Sequence, residues 1–128
     1  MRVYYEDTDA GGVVFYANYL KFMERARTEW LRSLGVEQDV LLERGIAFMV
    51  RSVAVDYLAP AKFNESLLIS CELVQQKRVS MVFVQKVQSA CKTKTYVTSS
   101  VTIACVDLSC GKPTAIPQSI IKVLPSVG

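Results

Sequence analysis

The chain of 128 residues contains no histidine. Ser-His-Asp and Cys-His catalytic arrangements need an imidazole to take the proton of the nucleophile near neutral pH, and many zinc sites need one as a ligand. Those mechanisms and sites are therefore excluded within one chain. The cysteines also lack the CxxC spacing that is typical of all-cysteine zinc sites. If the protein is an enzyme, carboxylates are the candidates for acid–base or nucleophilic catalysis.

The cysteines are few and scattered, at Cys71, Cys91, Cys105 and Cys110. Because no export signal precedes them, we expect free thiols rather than disulfides. Three of them lie in or beside strand-like segments, so we expect mostly small core residues. A catalytic thiol is not expected, since no histidine is present to activate it.

Long hydrophobic runs and blocks of like charge are also missing. No apolar run approaches the roughly 18 to 20 residues that cross a bilayer, and the N-terminus lacks the order of a secretion signal, so we expect a cytoplasmic protein without a transmembrane segment. The net charge is +3 with basic and acidic residues interspersed, which implies no nucleic-acid partner. A hydrophobic content of 51% and a charged content of 21% predict one globular domain over residues 1–128.

The spacing of apolar residues predicts one long helix early in the chain. From about Phe15 to Leu34 they recur mostly at intervals of three and four residues, and Gly35 supplies a C-terminal stop. A short β-prone stretch, residues 2–5, precedes this helix. The segment "EQDVLLERG" predicts a second, short helix that ends at Gly45.

The remainder of the chain is strand-like. Strands are predicted at residues 46–57, 67–75, 79–89 and 95–106. The connections "QKR" and "ACKTK" are as short as hairpin turns, whereas residues 117–124 fit either a closing strand or a helical turn. Because the strands follow one another without crossover helices, the order predicts an α+β fold in which an antiparallel sheet wraps around the long helix.

The acidic loop "DTDAGG" leads into the start of the long helix. Backbone N–H groups in a first helical turn have no partner inside the helix, and their partial positive charge stabilises an oxygen that becomes negative during a reaction. Asp9 would act beside them as a base or nucleophile, and Gly11 and Gly12 would let the backbone approach a ligand. In the alternative interpretation Asp7, Thr8 and Asp9 cap the helix, and the two glycines form an ordinary turn.

Three segments carry a resemblance to a known family. "RVYYEDTDAGGVVFYANYLKFMERARTEWL" resembles the N-terminal motif of the 4-hydroxybenzoyl-CoA thioesterase-like proteins, especially the acyl-CoA thioesterases associated with the bacterial Tol-Pal system. "VAVDYLAPAKFNESLLI" and "CVDLSCGKPTAIP" are similar to the same branch, so the resemblance covers nearly the whole chain. It implies a hotdog fold, an antiparallel sheet wrapped around one long central helix, which agrees with the order of elements above.

The resemblance implies a set of site residues. Asp9 matches the catalytic carboxylate, and the backbone N–H of Tyr16 matches the group that polarises the thioester carbonyl. Many Tol-Pal-type members carry His at this position, so Tyr16 departs from their pattern and is similar to the hydroxybenzoyl-CoA branch. Lys77 and Arg78 match loosely the basic residues that hold the phosphates of CoA, although two solvated turn charges are an equal alternative. Tyr19 is a candidate for the acyl pocket.

The implied activity is hydrolysis of an acyl-CoA or acyl-carrier thioester, without a cofactor or metal, in which Asp9 is either the nucleophile or the general base. A hydratase of the same fold is disfavoured because such enzymes typically use a histidine. A non-catalytic role, as an acyl carrier protein binder or a scaffold linked to Tol-Pal, is the second hypothesis. The resemblance also implies a homodimer that extends the sheet, doubled to a homotetramer, with the site between subunits.

Overall fold

The computed structural model describes residues 16–59, 61 and 66–125, and only the backbone of residues 16 and 17. The helices and strands are α1 (Tyr16–Ser33), α2 (Gln38–Glu43), β1 (Ile46–Tyr57), β2 (Leu67–Ile69), β3 (Glu72–Gln76), β4 (Ser80–Ser89), β5 (Thr95–Asp107), β6 (Lys112–Pro113) and α3 (Gln118–Ile121). The predicted strand at residues 2–5 lies outside the described residues. The long and short helices and three of the four predicted strands are confirmed with small shifts of their ends.

All described strand pairs are antiparallel. The sheet order is β1-β5-β4-β2, while β3 also pairs with β4 and β6 with β5. This arrangement confirms the predicted α+β class with an antiparallel sheet. The 117–124 segment, for which two structures were open, forms the helical turn α3.

The prediction of one continuous strand over residues 67–75 is wrong, because the segment divides into β2 and β3. At the break, the Ser70 N–H donates to the Lys86 carbonyl oxygen at 2.9 Å, and the Ser70 hydroxyl accepts the Lys86 N–H, also at 2.9 Å. A serine side chain that takes the place of a backbone acceptor interrupts the regular ladder. The alternating apolar pattern continues across the break, so the sequence did not reveal it.

The helix α1 packs over β4 and β2 with its apolar stripe facing the sheet. Tyr19, in its first part, belongs to the same buried cluster as Val87, near the end of β4. Leu31, near the C-terminus of the helix, belongs to the cluster that contains Met81, near the start of β4. The helix therefore runs antiparallel to β4, and its N-terminus lies at the Ser89 end of the strand.

A buried polar chain fixes the middle of α1 to the sheet. The guanidinium of Arg27 donates to Gln85 Oε1 at 2.8 Å, and Gln85 Nε2 donates to the Met23 carbonyl oxygen at 2.9 Å. Because Gln85 is completely buried, both ends of its amide need partners, and α1 supplies both. The register between helix and strand is thereby set by hydrogen bonds as well as by packing.

The helices α1 and α2 end before glycines, as the sequence predicts. Gly35 and Gly45 follow α1 and α2 with φ angles of +91° and +78°, a left-handed conformation that glycine adopts without steric cost.

Across the parts of the chain that the structure describes, no helix has both the length and the apolarity needed to cross a membrane.

Candidate active site

The first turn of α1 begins at Tyr16, which places the Tyr16 N–H among the helix amides that have no intrahelical acceptor. No acidic residue lies within this turn, so the helix itself brings no carboxylate to neutralise its positive end. The other predicted members of this site, Asp9 and Gly12, lie outside the described residues. The described part of the site is therefore the N-terminal turn of α1, whose backbone N–H groups carry partial positive charge.

The side chain of Tyr19 lies three residues further along α1, at the end of its first turn, and is only 2% exposed. Its hydroxyl accepts the backbone N–H of Ala61 at 2.9 Å. The ring packs edge-on against Phe22, with centroids 6.2 Å apart, and lies 5.9 Å from the ring of Tyr57. The predicted acyl-pocket residue is thus a core residue that ties α1 to the segment after β1.

Among the described strands β1 lies at an edge of the sheet, and its inner face is poorly covered. Val50 and Val53 lie opposite Ile103 and Val101 in the register, so they share the face that α1 covers elsewhere. Their β5 partners are 5% and 1% exposed, whereas Val50 and Val53 are 53% and 44% exposed. The helix packs over β4 and β2 on this face and leaves the β1 side open.

A groove lies between α1 and this open strip. It has a volume of about 230 Å³ and is lined by Leu20, Lys21, Glu24, Arg27, Val50, Val53 and Val101. Leu20 lies four residues after Tyr16, on the same side of the helix, so the groove begins one turn below the helix terminus. A mostly apolar groove that starts about one turn from a helix N-terminus fits a ligand with an apolar chain and a polar head.

Charged side chains also line the groove, with Lys21 near its Tyr16 end and Glu24 and Arg27 further along the helix. Arg27 is only 7% exposed, and burial lowers the pKa of its guanidinium, while the charges of Cys71 and Glu24 oppose this shift. Glu24 lies one turn before Arg27 on α1 and is exposed. Arg27 and the valines of β1 were not predicted for this site, because the residue pattern predicts a strand and a helix without showing which parts of their faces stay uncovered.

Lys77 and Arg78 lie in the turn between β3 and β4, and both are exposed. This turn precedes Ser80, whereas the N-terminus of α1 lies at the other end of β4, near Ser89. Nine residue steps along a strand span about 30 Å. The structure therefore does not bring the two basic residues and Tyr16 together within one chain.

The four cysteines are free thiols, as predicted. Cys105 is buried and Cys71 is half-buried, and burial raises the pKa of the Cys71 thiol to about 11. The expectation of mostly core cysteines is wrong for Cys91 and Cys110, which are exposed in turns that follow β4 and β5. Hydrogen bonds from Thr93 and then Ser89 lower the pKa of Cys91 to about 7, because they favour the thiolate.

The fold and the sequence both match known proteins. Slr0204 from Synechocystis, a 1,4-dihydroxy-2-naphthoyl-CoA thioesterase, superposes with a TM-score of 0.89 over 96% of this chain and 90% of its own, at 22% identity. A long helix packed on one face of an antiparallel sheet defines the class as hotdog proteins. Residues 3–124 match the thioesterase-like superfamily, and the chain belongs to that family.

Two curated relatives share a larger part of the sequence with this chain. The acyl-CoA thioesterase YbgC of Haemophilus influenzae is 45% identical over 121 residues, which cover 94% of this chain and 88% of the relative. The acyl-CoA thioester hydrolase YbgC of Escherichia coli O6:H1 is also 45% identical over 121 residues, with 94% of this chain and 90% of the relative covered. The predicted membership of a hotdog thioesterase family is confirmed.

Proposed function

We propose that this protein hydrolyses acyl-CoA thioesters at the N-terminus of α1, with Asp9 as the catalytic carboxylate. The observation that supports the proposal is the position of Tyr16 in the first turn of α1, about one turn before Leu20, which lines an apolar groove. The relatives named as acyl-CoA thioesterases match 94% of the chain, which supports the same substrate class. Glycine at position 12 supports a close approach of the ligand to the backbone.

In the proposed mechanism the thioester carbonyl oxygen accepts the Tyr16 N–H, and negative charge develops on that oxygen at the positive end of the helix. Asp9 either attacks the carbonyl carbon, which expels the CoA thiolate and leaves a mixed anhydride that water hydrolyses, or removes a proton from an attacking water. Both routes end in a free acid and CoA thiol. Neither needs a histidine or a metal ion.

The proposal includes a homodimer formed through β1. This strand has 12 residues, lies at the sheet edge and presents exposed apolar side chains, which is the kind of edge that proteins normally cover. Two copies that pair β1 with β1 in antiparallel order would continue the sheet across a twofold axis. The second copy would lie beside Val50 and Val53, which α1 leaves exposed, so the groove that they line would be at the interface between the two copies.

This dimer gives Lys77 and Arg78 a role that one chain does not allow. A twofold axis across β1 reverses the strand direction in the second copy. The partner subunit's Lys77 and the partner subunit's Arg78 would then lie at the same end of the joined sheet as Tyr16. We therefore propose that each site takes Asp9 and Tyr16 from one chain and the phosphate-binding charges from the other.

The test of the proposed function is the release of free thiol from short-chain, long-chain and aromatic acyl-CoAs. We expect hydrolysis of at least one of these groups, and the relative values of kcat/KM will identify the preferred acyl group. If folded wild-type protein binds an acyl-CoA or an acylated carrier protein without releasing thiol, the enzymatic proposal is wrong. That result would favour the alternative of a non-catalytic acyl-carrier binder or a scaffold linked to Tol-Pal.

A further inference from the structure

We propose that Tyr19 is a positioning residue for the reaction, which holds the first turn of α1 at a fixed distance from the segment after β1. This inference rests on the proposed function, because it concerns the placement of the Tyr16 N–H. It assigns the Tyr19 hydroxyl a task in catalysis without contact to the substrate.

The contact that carries the inference is the hydrogen bond from the Ala61 N–H to the Tyr19 hydroxyl oxygen, at 2.9 Å. Both residues are buried, with exposures of 2% for Tyr19 and 0% for Ala61. A buried backbone N–H that loses its acceptor is costly, so the hydroxyl is a strong constraint on the local geometry. The bond joins residues that are 42 positions apart in the sequence.

The position of Tyr19 makes this constraint relevant to catalysis. Tyr19 lies three residues after Tyr16, which corresponds to about 4.5 Å along the helix axis. The amides of the first turn have no intrahelical acceptors, so intrahelical hydrogen bonds hold this turn less firmly than the later ones. The next described side-chain hydrogen bonds between α1 and the sheet involve Met23 and Arg27, at least one turn further away. Tyr19 is thus an anchor within one turn of the amide that would polarise the thioester.

The ring of Tyr19 packs against its neighbours, whereas its hydroxyl positions the helix, so the two roles can be tested separately. It contacts Phe22 and Tyr57 through its faces and edges, and a phenylalanine would keep those contacts. Tyr19→Phe therefore removes the acceptor for Ala61 and leaves the apolar packing in place. A small displacement of a catalytic group lowers the rate of the chemical step more than it lowers ground-state binding.

The experiment compares kcat and KM of the wild type and Tyr19→Phe on an acyl-CoA that the wild type hydrolyses. We expect kcat to fall about tenfold and KM to change less than about threefold. Ile116→Val is the matched control, since Ile116 is 2% exposed and belongs to the other buried cluster, together with Leu31. This control should lower the unfolding midpoint without lowering kcat.

Hydrogen exchange gives a second, independent measurement on the wild type. The Ala61 amide should exchange slowly, and Tyr19→Phe should accelerate it while the amides of β5 stay protected. The inference is overturned if kcat of Tyr19→Phe stays within about twofold of the wild type, or if Ile116→Val lowers kcat as much as Tyr19→Phe does. It is also overturned if the wild-type Ala61 amide is unprotected from exchange. A wild type that hydrolyses no thioester would instead contradict the proposed function.

Discussion

Replacing Asp9 by Asn is expected to lower the rate of thioester hydrolysis by about a hundredfold to ten-thousandfold, the range typical for the loss of one positioned catalytic group. Asparagine has nearly the same shape as aspartate but carries no negative charge, so it is a poor nucleophile and a poor base at neutral pH. Because the Tyr16 amide and the groove are unchanged, binding of the acyl-CoA should persist. Thiol release at saturating substrate measures the loss, and circular dichroism reports whether the variant is folded.

Asp7→Asn is the matched control, since it removes the same charge two residues away in the sequence. We expect this control to keep kcat within about threefold of the wild type. If Asp9→Asn hydrolyses at the wild-type rate, or if both variants lose activity equally, Asp9 is not the catalytic carboxylate. The alternative interpretation, in which the acidic residues cap the helix or satisfy loop amides, would then account for the loop.

Val53→Asp should separate the proposed dimer and, with it, abolish most of the activity. In one chain the side chain of Val53 is 44% exposed, so an aspartate there remains solvated and the fold should tolerate it. In the β1 interface two such carboxylates would be buried, one from each copy, at a cost of several kcal/mol per charge. An increase in the dissociation constant of at least a hundredfold is therefore expected.

Val74→Asp is the control for this substitution. Val74 is 39% exposed in β3, which pairs with β4 on the side away from β5 and β1. Sedimentation should show monomers of Val53→Asp and assemblies of the wild type and Val74→Asp, and the mass separates a dimer from the predicted tetramer. A Val53→Asp monomer with wild-type kcat/KM would contradict an intersubunit site.

The sequence predicted the long helix and β1 well because each has one strong, local signal. The apolar stripe of α1 repeats at helical spacing up to Gly35, whose positive φ the helix end requires. The boundaries of β1 agree with those predicted because Gly45 precedes it and a turn-forming segment follows Tyr57. Such signals depend only on neighbours in the chain.

The features that were missed depend on contacts between distant residues. The break between β2 and β3 results from the hydrogen bonds of Ser70 with Lys86, 16 positions away. The exposure of Val50 and Val53 results from the position of α1 over the other strands, and the exposure of Cys91 from its place in a turn. The candidate residues Tyr16, Lys77 and Arg78 came from family resemblance, and the separation of the two basic residues from Tyr16 within one chain emerged only from the fold.

The central claim, that each site combines Asp9 of one chain with the charges of another, is tested most directly by mixing subunits. Chains with Asp9→Asn are unfolded and refolded together with chains that carry both Lys77→Ala and Arg78→Ala, and kcat/KM is measured at low substrate. In a mixed dimer with intersubunit sites, one site combines the Asp9→Asn substitution of one chain with the Lys77→Ala and Arg78→Ala substitutions of the other, so it carries all the substitutions. The second site takes Asp9, Lys77 and Arg78 unaltered and is intact. For an intersubunit site we expect about a quarter of wild-type activity, because half of the dimers are mixed and each has one working site. Activity no higher than the average of the two separate variants would contradict it.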